Sequence, residues 1–197
     1  ARMQVTFQIL SSEIVFKAFH TLRRIRFAWM ASDGGRREAD HEVLERRDAS
    51  AILIHDESAG TVILVRQLRV AAAINQHPDP MLEAAAGLID AGETALEAAI
   101  REAGEETGFH PRAAEAIRTI YPSPGVVTER IHLFYARVSR EDRRSHGGGL
   151  AQESGGKEGV GGPLPPIPAM FADGGIVDAK FNTLLQWLPS HRASGEP

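Results

Sequence analysis

The chain has 197 residues, 43% of them apolar and 24% charged, with a formal net charge of −4. This is enough for one domain with a real core plus a smaller appendage, and the mildly acidic balance excludes a broad nucleic-acid-binding surface, which would be basic. Cysteine is absent, which excludes disulfides, thiolate zinc sites and a Cys nucleophile and fits a reducing cytoplasm.

Ala1 to Leu10 lacks the basic stretch and apolar core of a signal peptide. The first half reads as strands. Ile25, Phe27 and Trp29 alternate with Arg26 and Ala28, as in a half-buried strand. Asp33-Gly34-Gly35 supplies a turn, and Glu42 to Arg47 returns as the partner strand. Ala51 to Ile54 and Thr61 to Val65 flank a polar turn at Asp56 to Gly60, which is a hairpin signature. Asn75 to Pro80 is a polar loop. From Glu93 to Glu106 the pattern turns helical, with Leu96, Ala99, Ile100 and Ala103 forming an apolar stripe. Gly108 stands where the helix stops. Ile131 to Val138 is a further strand after a turn at Pro122 to Gly125.

Ser145 to Pro168 is rich in Gly and Pro and is expected to be a long loop. Ala169 to Leu188 recovers helical character, with Ile176, Leu184, Leu185, Trp187 and Leu188 as core contacts and the glycines at 174 and 175 dividing it into two short helices. Pro189 to Pro197 reads as a polar tail. No apolar run approaches the ~18 residues of a membrane span, so neither a membrane nor a nucleic acid is an expected partner.

The segment that carries chemistry runs from Gly87 to Phe109. Glu102, Glu105 and Glu106 lie at i, i+3 and i+4 and project from one helix face, which is read as exposed. Each pair of carboxylates at ~4 Å costs roughly 4 kcal/mol at an effective dielectric of about 20. A cation would relieve that repulsion, and an all-oxygen donor set suits Mg²⁺ or Mn²⁺. The three also stand near the helix C-terminus, where the macrodipole disfavours anions. A solvated acidic face is the plain alternative.

The spacing decides between them. The segment resembles the Nudix box, Gly-x5-Glu-x7-Arg-Glu-U-x-Glu-Glu-x-Gly-U, with Gly87, Glu93, Arg101, Glu102, Glu105, Glu106, Gly108 and Phe109 in register and a small Ala103 at the first apolar position. The resemblance implies an α/β/α sandwich with a mixed sheet. It implies Glu102, Glu105, Glu106 and the carbonyl of Ala86 as ligands of Mg²⁺, with Mn²⁺ as an alternative. Glu93, Arg101 and the glycines 87 and 108 would be structural.

Outside the box, Arg66 and Arg69 in Val65 to Val70, Glu83 in Leu82 to Gly87, and Ser123 to Glu129 resemble segments of nucleotide-sugar pyrophosphatases, of the GDP-mannose and ADP-ribose types. The implied function is Mg²⁺-dependent hydrolysis of a nucleoside diphosphate sugar, with Arg66, Arg69 and Glu83 as substrate-binding residues. The same resemblance implies a homodimer, with residues 1–48 as an N-terminal antiparallel β subdomain serving dimerisation, 49–190 as the Nudix domain and 191–197 as a tail. Phe27 and Trp29 would be interface or core residues. The pattern breaks after the glycine run. Glu153 stands at the first acidic position, but Gly155 and Gly156 replace the acids expected next, and the apolar alternation of the following strand is missing. Glu153 is the candidate general base, Glu158 the fallback and Glu105 the alternative within the box. A nucleotide sensor without turnover, or a hydrolase of nucleoside triphosphates or dinucleoside polyphosphates, are the competing readings.

Overall fold

A computed structural model gives residues 6–77, 80–148, 158–163 and 176–193, with the side chains of 158–163 and 189–193 left undescribed. Two compact units form: Ala1–Arg47 with Tyr121–Arg130, and Asp48–Ile120 with Ile131–Pro197. The segment Tyr121–Arg130, inside the 49–190 span of the sequence reading, thus clusters with the N-terminal strands.

The first unit is an antiparallel sheet, β1 (Phe7–Lys17), β2 (Thr21–Met30) and β3 (Arg36–Glu45), in that spatial order. Phe27 and Trp29 are half-buried and stack at 5.4 Å, with Phe7 5.2 Å from Phe27. The partner strand starts at Arg36, earlier than expected, because Asp33 accepts the Gly35 amide at 2.9 Å and Gly34 takes φ 79, closing a tight turn. β1 was not foreseen. Its whole length is exposed, including Phe7, Ile9, Ile14, Val15 and Phe16. Tyr121–Arg130 joins this unit through the Leu44 amide, which donates to Val126 at 2.7 Å, and through Arg46, which donates to Glu129 at 3.3 Å.

The second unit is a mixed sheet covered on both faces. Its strands are β4 (Ala49–Asp56), β5 (Thr61–Gln67), β6 (Met81–Glu83), β7 (Ala85–Leu88), β8 (Glu115–Ile120), β9 (Ile131–Val138) and β10 (Glu158–Pro163). The main order is β10-β5-β4-β9-β8, and only β4 with β9 is parallel. The helices are α1 (Val70–Ile74), α2 (Ala95–Thr107) and α3 (Ala179–Ala193). Every residue of β4 is buried, as expected for a central strand with both faces covered. On one face Ile52, Ile54, Ile63, Val65 and Phe134 meet Ala99 and Ala103 of α2. On the other Leu53, Leu64, Leu133 and Tyr135 meet Phe181, Leu184, Leu185 and Leu188 of α3.

The site depends on a split in this sheet. β4 pairs with β5 only from Ile54 to Asp56, and from Ala49 to Ile52 it pairs with β7 instead. β6 meanwhile pairs with β5. The segment Met81–Leu88, interrupted at Ala84, therefore wedges between two diverging strands. Ala85 packs on the α2 side, while Ala84, Ala86 and Leu88 pack on the α3 side.

Three expectations are corrected. Leu96 is 39% exposed and does not belong to the buried stripe; Ala99 and Ala103 of that stripe are buried, joined by Ala98, because small residues let α2 come close to the sheet. Glu158–Pro163, expected to be loop, is a strand antiparallel to β5. Its Cα atoms come within 8 Å of those of α2, and glycine in a strand allows another backbone to approach; the pairing rests on backbone bonds, so no apolar alternation is needed. The helix at the C-terminal end runs through Pro189 to Ala193, with its apolar face already buried up to Leu188; a proline removes one donor and kinks a helix without having to end it. The proposed split at residues 174 and 175 lies outside the described residues.

Leu184→Ala, a fully buried truncation, should lower stability by about 2–5 kcal/mol, whereas Leu96→Ala should change it by less than about 0.5 kcal/mol. Urea unfolding of both variants checks this, and equal losses would overturn the assignment of the α3 face to the core.

Candidate active site

The box begins in the wedge and ends on α2. Thr94 caps the helix: its hydroxyl accepts the Glu97 amide at 3.2 Å, and Glu97 accepts the Thr94 amide at 2.8 Å. This is a capping box, and the Thr-x-x-Glu spacing was available in the sequence although it was not read. At the other end Gly108 adopts φ 78, where a side chain would be strained, and its amide donates to the Gly104 carbonyl.

Arg101 organises the loop before the helix. Its Nε donates to Glu93 Oε1 at 2.8 Å, and Nη2 donates to Glu93 Oε2 at 3.0 Å and to the Leu88 carbonyl at 3.1 Å. Nη1 donates to Glu102 at 2.7 Å and to Glu105 at 3.2 Å. Glu93 also accepts the Asp90 amide at 3.0 Å. The hydrogen bond to Arg101 holds the Glu93 carboxyl below its ordinary value, and the bond to Glu93 in turn raises the guanidinium.

The ladder is not on an exposed face. Glu102 is 5% and Glu106 1% exposed, while Glu105 is half-buried. The reason is the wedge: a Cβ at Gly87 would collide with the Glu102 carboxylate, so the box glycine makes room for that side chain against the sheet. Glu106 accepts the Ala86 amide at 3.1 Å. The structure thus brings Ala86, Gly87, Glu93, Arg101, Glu102, Glu105 and Glu106 together. Among the described residues, no three acidic or histidine side chains are gathered closely enough to hold an ion. Arg101 stands between Glu102 and Glu105 and already relieves part of the repulsion expected from their spacing. The donors nevertheless fit a hard divalent cation. They are oxygen only, two of them are buried, and Gly87 leaves the space that Glu102 fills.

A second charged cluster lies beside the first. Arg69 donates to both oxygens of Glu83, at 2.6 and 2.7 Å, and Lys180 donates to Glu83 and, at 2.7 Å, to Asp178. Glu83 is 1% exposed. Burial pushes its carboxyl up, but Arg69 and Lys180 outweigh burial and leave it below the ordinary carboxylate value. Arg69 is raised, by its bond to Glu83 first, and it also feels the charges of Asp178 and Glu106. Lys180 was missed in the sequence. It meets a carboxylate 97 positions away, and no local signal announces such a pair. Arg66 is exposed on β5, with Glu158 as its register partner on β10. Glu153 lies outside the described residues.

Residues 45–154 match the NUDIX domain family. The chain belongs to that family and is a Nudix hydrolase. Relatives named GDP-mannose pyrophosphatase from Cronobacter sakazakii and Klebsiella pneumoniae are 38% and 36% identical to it over 188 residues, covering 94% of this chain and 96% and 93% of theirs. A crystal structure described as an ADP compounds hydrolase shares the fold, with a TM-score of 0.73 over 96% of each chain at 22% identity. No described helix is long and apolar enough to cross a membrane.

Because the Glu83 carboxyl is lower in the folded state than in the unfolded chain, its contribution is whole above the unfolded value of about 4.3. It is lost as pH falls through the folded value. Urea unfolding in steps below about pH 5 should therefore show a shallower acid loss for Glu83→Gln than for wild type. Equal acid slopes would overturn the assignment.

Proposed function

We propose that the protein hydrolyses the pyrophosphate bond of a nucleoside diphosphate sugar, of the GDP-mannose or ADP-ribose type, to a nucleoside monophosphate and a sugar phosphate, with Mg²⁺ or Mn²⁺. The observation that carries the reading is the burial of Glu102 and Glu106 on α2 against Gly87 and Ala86. The substrate class is supported by the names of the GDP-mannose pyrophosphatases that align over 94% of the chain.

Glu102, Glu105, Glu106 and the Ala86 carbonyl would hold the ion. When bound, it supplies charge screening at the phosphates and lowers the pKa of a water. Glu102 and Glu106 are held rigidly by their burial and by Arg101 and the Ala86 amide. Glu153 is the candidate general base, and Glu105, the half-buried member of the ladder, is the alternative within the box. Arg66, exposed on β5, binds phosphate or sugar. Arg69 and Glu83 bind it with Arg66 as a pre-formed pair, with Lys180 holding Glu83 in place. A reducing cytoplasm is part of this reading, supported by a chain without cysteine.

The reading includes a homodimer in which residues 1–48 serve dimerisation. β1 is an edge strand eleven residues long, and long apolar edges invite pairing with another chain. Phe7, Ile9, Ile14 and Phe16 are left uncovered on it.

Incubation with Mg²⁺ and a panel of nucleotide sugars, with products separated by chromatography, should yield a monophosphate and a sugar phosphate, and a chelator should stop it. Glu106→Gln keeps an oxygen to accept the Ala86 amide, so it should fold while losing ~10²-fold or more in rate. Of Glu105→Gln and Glu153→Gln, the one that removes the general base should lose ~10²-fold or more in kcat. A folded, Mg²⁺-binding protein that cleaves nothing would instead favour the sensor. Sedimentation should give a dimer, shifted toward monomer by Ile14→Glu; a monomeric wild type would end the dimer reading.

A further inference from the structure

The last turn of α2 would be left with open carbonyls if nothing followed it. The segment Asp142–Gly148 closes them. The Gly148 amide donates to the Glu106 carbonyl at 2.8 Å, and the Arg144 amide donates to the Gly108 carbonyl at 2.8 Å. His110 donates its amide to the Asp142 carbonyl at 2.8 Å, and Phe109 and Arg143 form an isolated antiparallel bridge. The Arg143 guanidinium lies 5.6 Å above the Phe109 ring, and its Nε donates to the Ser145 carbonyl at 3.2 Å. This strap follows β9, far along the chain from the box.

The contact is backbone on backbone and tolerates no side chain. Gly147 has φ 72, and a Cβ there would stand 2.5 Å from the Glu106 carbonyl oxygen and 2.7 Å from Thr107 Cα. A Cβ on Gly108 would strike the Ser145 carbonyl. Two glycines thus face each other, one in the box and one in the strap. Glu106 is consequently held at both ends, its carboxylate by the Ala86 amide and its carbonyl by the Gly148 amide.

We propose that Gly147, Gly148 and Arg143 are positioning residues: the strap they form fixes the last turn of α2 so that the Glu106 carboxylate stays in register with Ala86. This rests on the reading of Glu106 as a metal ligand. Outer groups that orient a ligand typically change metal affinity or activity by about 10–100-fold when lost.

The test is Mn²⁺ binding followed by electron paramagnetic resonance, together with hydrogen exchange at the Ala86 amide in metal-free protein. Gly147→Ala should weaken Mn²⁺ binding about 10-fold or more, unprotect the Ala86 amide, and lower kcat more than it raises KM. Gly60→Ala is the control. Its φ is 63 with open space around it, so it carries the same left-handed strain without touching α2, and it should bind Mn²⁺ as wild type does. If Gly147→Ala fails to fold, Arg143→Ala loosens the strap without backbone strain; it should weaken Mn²⁺ binding, and Arg143→Lys should recover part of it. Wild-type Mn²⁺ affinity and Ala86 protection in both Gly147→Ala and Arg143→Ala would overturn the strap alone. Absence of Mn²⁺ binding in wild type would overturn the metal reading and the strap with it.

Discussion

Arg101 uses every N–H it has. Its five donors go to both oxygens of Glu93, to the Leu88 carbonyl, to Glu102 and to Glu105. The guanidinium is planar and rigid, so partners that share it are fixed relative to one another. It joins the end of β7, the turn before α2 and two rungs of the carboxylate ladder. Glu102 is a buried carboxylate beside two others, and removing one partner of a buried ion pair typically costs ~3–5 kcal/mol. The placement of the helix against the wedge and the usefulness of its acids therefore depend on the same side chain.

The second cluster repeats the logic across more distant parts of the chain. Arg69 and Lys180 balance Glu83 and Asp178. These residues come from the segment after β5, from β6, and from the start of α3. Buried charge persists only when paired, so the docking of α3 is specified by charge as well as by Phe181 and Leu184. Arg69 feels Glu106 as well, which links the two clusters electrostatically.

Small residues make both arrangements possible. Ala85, Gly87, Ala99 and Ala103 line the contact between wedge and helix. A larger residue at any of them would push α2 away and draw Glu102 and Glu106 out of register. The glycines of β10 belong to the same design. They let a paired strand lie near the helix, although by composition they resemble linker.

The box was legible because its partners are close in sequence. Carboxylates at i, i+3 and i+4 meet whenever the segment is helical, Glu93 folds back onto Arg101 from the turn just before α2, and the Thr94–Glu97 cap lies within the same short reach of sequence. The hairpin of β4 and β5 was legible for the same local reason. β1 and β10 were not: the first lacks a clean alternation, and the second has Val160 among three glycines and so no alternation to read. The burial of Glu102 and Glu106 was not legible either, since spacing describes which residues share a face and not what covers that face.

By itself, then, the sequence determined the helix, its carboxylate spacing and the family to which the chain belongs, because those follow from periodicity and fixed offsets within one segment. Only the tertiary structure decided that the ladder is buried against Gly87, that Lys180 closes on Glu83, and that Gly148 caps Glu106. Each of these is a contact between segments that the core brings together. Burial and charge pairing depend on that distance in space, which local pattern does not encode.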